Sequence, residues 1–114
     1  MSYKRYTGKD KYHVRVRKRT GHPVVIVAED KNFLYGYDTT TSIKKYLSHR
    51  RFYHKLESKL TQKNDAENKS TYLYKKRIKD KKNGYSKPYN NSHLTLNDEL
   101  YIDYLESKHK NKKC

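Results

Sequence analysis

The sequence predicts an α+β fold, a small and strongly twisted antiparallel sheet with a C-terminal helix. Three consecutive segments of the first half alternate apolar and polar residues or concentrate β-branched ones, and an amphipathic segment lies near the end. The length of 114 residues fits one basic domain over residues 1–114, with 1–10 and 109–114 predicted as flexible tails. Because only 32% of the residues are hydrophobic, the core must be small, and 13 tyrosines are available to extend it.

The three strands of the first half have distinct patterns. Residues 11–19 alternate an apolar face with a cationic one, and residues 24–28 form a β-branched run expected at the buried centre of the sheet. Residues 33–37 predict the third strand. Turn-forming residues at 20–23 and 29–32 separate the three, so the sequence predicts an antiparallel meander.

The middle of the chain gives a weaker signal. Residues 42–60 fit helical spacing in part and strand alternation in part, so both alternatives stay open there. Residues 71–79 alternate again and predict a further strand. The polar stretches 61–70 and 80–93 predict loops, the second because it carries an Asn-Gly pair and a proline.

The last helix is predicted to begin at a cap on Asn97. Acidic residues follow in its first turn and lysines lie in its last turn, and both placements suit the helix dipole. Residues 98–106 carry four acids and no Lys or Arg, so this helix is expected to face away from a polyanion or to cover a basic patch of the protein itself. The face expected to dock on the sheet consists of Leu100, Tyr101, Tyr104 and Leu105.

The charge of the chain indicates its class of partner. Lys and Arg number 28 against 12 Asp and Glu, which gives a net charge of +16. Such an excess repels itself and calls for a polyanion, for which nucleic acid is the usual case. Tyrosines and histidines interleave with these cations, a pattern typical of proteins that bind single strands. No helix is apolar enough on one face to argue for a membrane partner, and RNA is favoured over DNA.

Several classes of function are excluded or disfavoured. Cys114 is the only cysteine, so an intrachain disulfide and a cysteine-cluster zinc site are both ruled out. The six histidines do not stand at zinc-ligand spacing, and we expect neither a metal nor a cofactor. The N-terminal residues are charged and lack the apolar stretch of a signal peptide, so a cytoplasmic location is expected.

The stretch "YDTTTSIKK" at residues 37–45 has two interpretations. One of its hydroxyls could cap a helix that begins at residue 43. Alternatively, the hydroxyls and the two lysines could together hold a phosphate, because helix N-termini also bind that group.

The segments "HPVVIV" (22–27) and "FLYGYDTTTSIK" (33–44) resemble the PemK/MazF/ToxN superfamily of toxin endoribonucleases. In that superfamily an Arg-Pro pair and an aliphatic strand precede a hairpin and a strand that ends in Thr/Ser. The resemblance covers residues 11–45. It implies an SH3-like β-barrel with attached helices, metal-independent cleavage of single-stranded RNA through a 2′,3′-cyclic phosphate, and an RNA or acidic protein antitoxin as partner.

The resemblance also implies roles for particular residues. Thr41 and Ser42 would hold the scissile phosphate, and Lys44 would stabilise its charge. His22 stands where many members of the superfamily carry Arg. The cations and the histidine predicted to contact nucleic acid are Arg15, Arg17, Arg19, His22, Lys45, Arg50, Arg51, Lys75, Lys76 and Arg77.

Two other functions remain open. The chain could be a non-catalytic nucleic-acid-binding accessory protein of a mobile element or a ribosome, which needs only the charge and the aromatic rings. It could also be an adaptor whose positive charge meets an acidic protein. The enzyme alone requires residues 39–44 to converge with a basic strand end. The oligomeric state stays open as well.

Overall fold

The computed structural model describes residues 4–5, 12–58, 60, 70–86 and 94–112. Within these ranges an antiparallel sheet and a long C-terminal helix form one compact unit, which confirms the predicted α+β class. The strands are β1 (Lys4–Arg5), β2 (His13–Val16), β3 (Pro23–Glu29), β4 (Phe33–Thr40), β5 (Tyr53–Lys55), β6 (Tyr72–Tyr74) and β7 (Ile78–Lys81). The helices are α1 (Ile43–Ser48) and α2 (Leu96–Lys112), with short 3₁₀ helices at Arg50–Phe52 and Lys82–Gly84.

The central pair of the sheet is β3 and β4. The edge of β3 that faces away from β4 pairs with β1 at one end and with β2 at the other. On its outer edge β4 pairs with β7 through residues 33–36 and with β6 through residues 39–40, and β6 continues to β5. Because the two halves of β4 have different neighbours, the sheet curls around this strand.

The sheet partly closes on itself. Tyr85, just after β7, forms an isolated bridge with Arg17 at the end of β2. Next to this bridge the amide of Ser86 donates to the carbonyl of Val16 at 2.9 Å, and the amide of Lys18 donates to the carbonyl of Gly84 at 2.9 Å. The chain after β7 therefore returns to β2 and gives the sheet a barrel-like curvature.

The strand β3 is buried on both faces, as its β-branched run predicts. Val25 and Val27 belong to the larger core cluster, which includes Ile102 of α2. Val24 and Ile26 point to the other face, where they pack with the remaining cluster of Leu34, Tyr85 and Ile78. Alternate residues of one strand thus supply both cores.

The face of α2 that packs on the sheet differs from the predicted one. Its buried residues are Asp98, Ile102, Leu105 and Glu106, which lie at helical spacing. Leu100 and Tyr104 are each 54% exposed. The prediction was wrong at these two residues because the buried face includes two carboxylates, which a search for apolar residues passes over.

The cap of α2 also lies two residues before the predicted Asn97. The amide of Asp98 donates to Oγ1 of Thr95 at 3.2 Å, the geometry of an N-cap threonine. The carboxylate of Asp98 accepts from the amides of Glu57 at 2.9 Å and Ser58 at 2.7 Å. These bonds hold the start of α2 against the chain that follows β5.

The ambiguous regions of the sequence contain more than one element. The stretch 42–60 contains α1, a 3₁₀ helix and β5, so each alternative holds for part of it. The predicted strand 71–79 is two strands, β6 and β7, and the predicted loop 80–93 begins with the end of β7 and a 3₁₀ helix. Most of the predicted loop 61–70, namely 61–69, lies outside the described residues.

The segments predicted as tails are partly ordered elements. Residues 4–5 form β1 and residues 109–112 belong to α2, while 1–3, 6–10 and 113–114 lie outside the described residues. Of the helices that the structure describes, none has the length and apolar character needed to cross a bilayer.

Candidate functional site

A cleft of about 180 Å³ opens where β4 ends. Its walls come from the turn before β3, the end of β4, α1 and the β5–β6 pair. Of residues 39–44, which the enzyme hypothesis requires to converge with a basic strand end, Thr39 and Thr40 line this cleft. The lining residues are His22, Asp38, Thr39, Thr40, Lys45, Tyr53 and Tyr74.

A tight turn positions His22. Gly21 has a φ of 73°, in the left-handed region that glycine adopts without steric cost, and its amide donates to the carbonyl of Arg17 at 2.7 Å. The amide of His22 donates to Oγ1 of Thr20 at 3.2 Å. Pro23 then begins β3, so the backbone of His22 is held directly before a buried strand.

The one carboxylate of the cleft lining is paired. Nη1 of Arg17 lies 3.4 Å from Oδ2 of Asp38, and the other oxygen of Asp38 accepts from the amide of Thr39 at 2.8 Å. Arg17 also reaches Asp80 at 3.3 Å through Nη2 and donates to the hydroxyl of Tyr85 at 3.0 Å through Nε. Arg17 is thus engaged with protein groups and offsets the negative charge that Asp38 brings to the cleft.

Two tyrosines line the cleft from β5 and β6, next to the end of β4. Tyr53 and Tyr74 are directly paired between β5 and β6, and their ring centroids lie 5.2 Å apart. Burial raises the pKa of Tyr53 above its ordinary value, and the neighbouring Tyr74 and Asp38 add to this shift. The hydroxyl of Tyr53 therefore remains protonated at neutral pH and can donate a proton or a hydrogen bond.

None of the three predicted catalytic residues lines the cleft. The side chain of Ser42 accepts from the amide of Lys45 at 3.2 Å and caps α1, which is the first interpretation of this stretch. Thr41 and Lys44 are exposed and do not line the cleft. Instead Lys45 does, because the turn at Ser42 directs the first turn of α1 toward the end of β4.

The other predicted nucleic-acid contacts fall into two groups. Arg77 binds Glu106 at 2.9 Å, and Arg15 lies 3.8 Å from Glu29, so both are engaged in ion pairs inside the protein. The exposed group consists of Arg19, Arg50, Arg51, Lys75 and Lys76.

Five of the seven lining residues were not predicted as site residues from the sequence, namely Asp38, Thr39, Thr40, Tyr53 and Tyr74. Asp38 lies within the stretch "YDTTTSIKK", and Tyr53 and Tyr74 lie within basic, aromatic stretches. No spacing in the sequence indicates that these residues come close to His22. The signal that joins them is the pairing of β4 with β6 and of β6 with β5, which brings residues 53 and 74 to the end of β4.

Comparison with known proteins adds nothing to this geometry. No family model, curated protein or solved structure matches the chain. Within the described ranges, no three His, Cys, Asp or Glu side chains come together as a metal site.

Proposed function

We propose that this protein binds single-stranded RNA in the cytoplasm and cleaves it without a metal ion, as the toxin endoribonucleases that it resembles do. The observation that supports this proposal best is the composition of the cleft, which is lined by His22, Lys45, Tyr53 and Tyr74. Cleavage of RNA needs a base, an acid and a cation close to one phosphate. The cleft brings all three kinds of group to one place.

Each group has a definite role in the proposed reaction. His22 takes the proton of a ribose 2′-hydroxyl, and that oxygen attacks the adjacent phosphorus. The bond from phosphorus to the 5′-oxygen then breaks, and Tyr53 gives its proton to that leaving oxygen. The products are a 2′,3′-cyclic phosphate and a 5′-hydroxyl, and proton exchange with water restores both side chains. Lys45 stabilises the negative charge that develops on the phosphate.

The roles implied by the resemblance change in this proposal. Lys45 replaces Lys44 as the cation, because Lys45 lines the cleft and Lys44 does not. Ser42 acts through its cap, which orients the helix that carries Lys45. An RNA or an acidic protein antitoxin remains the proposed natural partner, since the net charge of +16 favours either.

The test uses two adjacent lysines as a matched pair. A single-stranded RNA of mixed sequence is incubated with the protein in EDTA, and the new ends are mapped chemically. We expect cyclic-phosphate ends from the wild type, a loss of about 10²–10⁴ in rate for His22→Gln, and a loss of about 10²–10³ for Lys45→Gln. Lys44→Gln should cleave like the wild type because it lies outside the cleft.

Two results would contradict the proposal. One is RNA that stays intact while it binds tightly at low salt, which would favour the non-catalytic accessory protein. The other is cleavage that survives His22→Gln and Lys45→Gln unchanged, since a contaminating nuclease would behave in this way.

A further inference from the structure

A second and larger cavity lies beside the cleft. It has a volume of about 500 Å³ and runs between the turn after β2 and the segment formed by β7 and the 3₁₀ helix that follows it. Its lining consists of Arg17, Lys18, Arg19, Phe33, Lys79, Asp80, Lys81, Asn83 and Gly84, and we refer to it as the β7 groove. Arg17 joins the two cavities, because it pairs with Asp38 in the cleft and with Asp80 in the groove.

The charge of the β7 groove is positive and largely unneutralised. Lys18, Arg19 and Lys81 are exposed, and no carboxylate of the described residues lies within ion-pair distance of them. The single acid of the lining, Asp80, is held by Arg17 and accepts from the hydroxyl of Tyr85 at 3.0 Å. The groove therefore presents cations without a competing free carboxylate.

The register of β7 arranges these cations in a row. Lys79 and Lys81 are two residues apart on one strand, so both side chains point to the same face, about 6.7 Å apart along the strand. Their partners on β4 are Tyr35 and Phe33. The ammonium of Lys79 lies 4.4 Å from the centroid of the Phe33 ring, which is half-buried in the floor of the groove. Two cations and an aromatic ring thus lie together on one face of the β4–β7 pair.

We propose that the β7 groove binds the sugar–phosphate backbone of the single RNA strand that enters the cleft, with Phe33 as a stacking surface for one base. This inference rests on the proposed function, for it assigns the flanking part of the same substrate. Lys79 and Lys81 contact successive phosphates, and Lys18 and Arg19 close the opposite wall. The substrate must accordingly extend beyond the nucleotides at the scissile bond.

The ring and the row of cations favour a nucleic acid over an acidic peptide. Carboxylates of a peptide would pair with the lysines but would leave the face of Phe33 without a flat partner. A base stacks on any aromatic ring regardless of sequence, and phosphates pair with the cations beside it. A duplex keeps its bases stacked on each other, so the ring selects a single strand.

The experiment separates binding from cleavage. The probe is a fluorescein-labelled RNA strand with 2′-O-methyl riboses, which lacks the nucleophilic hydroxyl and stays intact. Its dissociation constant is measured by anisotropy across a series of KCl concentrations. The variant is Lys79→Gln/Lys81→Gln, and the matched control is Lys55→Gln/Lys108→Gln, which removes two exposed lysines that line neither cavity.

We expect the groove variant to bind more weakly at low salt and to lose about 1.4 from the slope of log affinity against log salt, at about 0.7 for each phosphate contact. The control should change the slope by less than half as much. Phe33→Leu should weaken binding without changing the slope, because it removes a stacking surface and no charge.

The inference and the proposed function fail in different ways. Equal slopes for the groove variant and its control would overturn the inference even if unmethylated RNA is cleaved. Competition by polyglutamate as strong as that by the RNA strand would overturn it as well, in favour of an acidic protein partner. A reduced slope in the groove variant would support the inference about the groove even if unmethylated RNA stays intact. The intact RNA would then contradict only the proposed cleavage.

Discussion

The guanidinium of Arg77 donates two hydrogen bonds to the buried carboxylate of Glu106, from Nε at 2.9 Å and from Nη2 at 3.3 Å. The hydroxyl of Tyr37 donates to the same carboxylate at 2.6 Å. Arg77 lies between β6 and β7, Tyr37 is on β4, and Glu106 is on α2. The three side chains therefore hold the C-terminal helix to the sheet, and α2 covers one basic residue of its own protein.

Arg77→Gln tests this structural role. Glu106 would remain buried without its guanidinium partner, and removing one partner of such a pair costs about 3–5 kcal/mol of unfolding free energy. Urea denaturation followed by circular dichroism measures this loss. Lys76→Gln, at an exposed neighbouring position, should stay within about 0.5 kcal/mol of the wild type. If Arg77→Gln is as stable as Lys76→Gln but binds RNA less well, Arg77 is a nucleic-acid contact instead.

Gly36 allows the central strands to approach each other. A Cβ at this position would lie 2.1 Å from the carbonyl oxygen of Val25, a backbone atom that cannot move aside. Gly36→Ala should therefore push β3 and β4 apart and lower the unfolding free energy by about 1–3 kcal/mol or more. Gly84→Ala is the matched control, since no atom lies within 4 Å of its added Cβ. If the thermal melting curves of the two variants coincide, that result would contradict the close packing at Gly36.

His54 should make stability depend on pH. Its ring stacks on Tyr101 with centroids 3.6 Å apart, and burial lowers the pKa of His54 below its ordinary value of 6.5, with Asp98 opposing this shift and Lys75 adding to it. The folded protein then binds fewer protons than the unfolded chain. The contribution of His54 to the free energy of unfolding is complete above about pH 6.5. It is lost as the pH falls through that value toward the lowered pKa of His54.

Two variants isolate the contribution of His54. His54→Phe keeps an aromatic ring against Tyr101 and does not titrate, so its unfolding free energy should fall less between about pH 7.5 and about pH 5.5 than that of the wild type. The control replaces the exposed His49 by Gln, and its unfolding free energy should depend on pH as that of the wild type does. A curve for His54→Phe that is parallel to the wild type would show that other groups control this range.

Substitutions at Ser42 separate its cap from a catalytic hydroxyl. Ser42→Ala should destabilise the protein by about 1 kcal/mol, and Ser42→Asn should not, because asparagine also caps helices. If the cap is the role of Ser42, the asparagine variant cleaves RNA at the wild-type rate. If the asparagine variant is stable but does not cleave RNA, the hydroxyl of Ser42 contacts the scissile phosphate, as the resemblance implies.

Much of the fold follows from local patterns, and the deviations have physical causes. β3 extends one residue beyond the predicted 24–28 at each end, because Pro23 pairs with β2 and Glu29 pairs with β1 and β4. β4 continues past the predicted end at residue 37 because Thr39 and Thr40 find partners on β6, more than thirty residues away. Such distant partners leave no periodic signal in the sequence.

The cleft could be predicted only in part for the same reason. His22 and Lys45 follow from their basic and turn-rich surroundings. Tyr53 and Tyr74 reach the cleft through strand pairing, and the face of a strand on which a side chain lies depends on the register of that pairing. The two buried carboxylates of α2 show a related effect, since their burial depends on donors from other elements.

Arg17 couples the cleft and the β7 groove electrostatically. One guanidinium balances a carboxylate on each side of the wall between them, Asp38 at 3.4 Å and Asp80 at 3.3 Å. Any replacement that lacks the charge would turn both cavities more acidic at once. The charge of one cavity can therefore not be altered through this residue without altering the charge of the other, unless the two acids are replaced together with it.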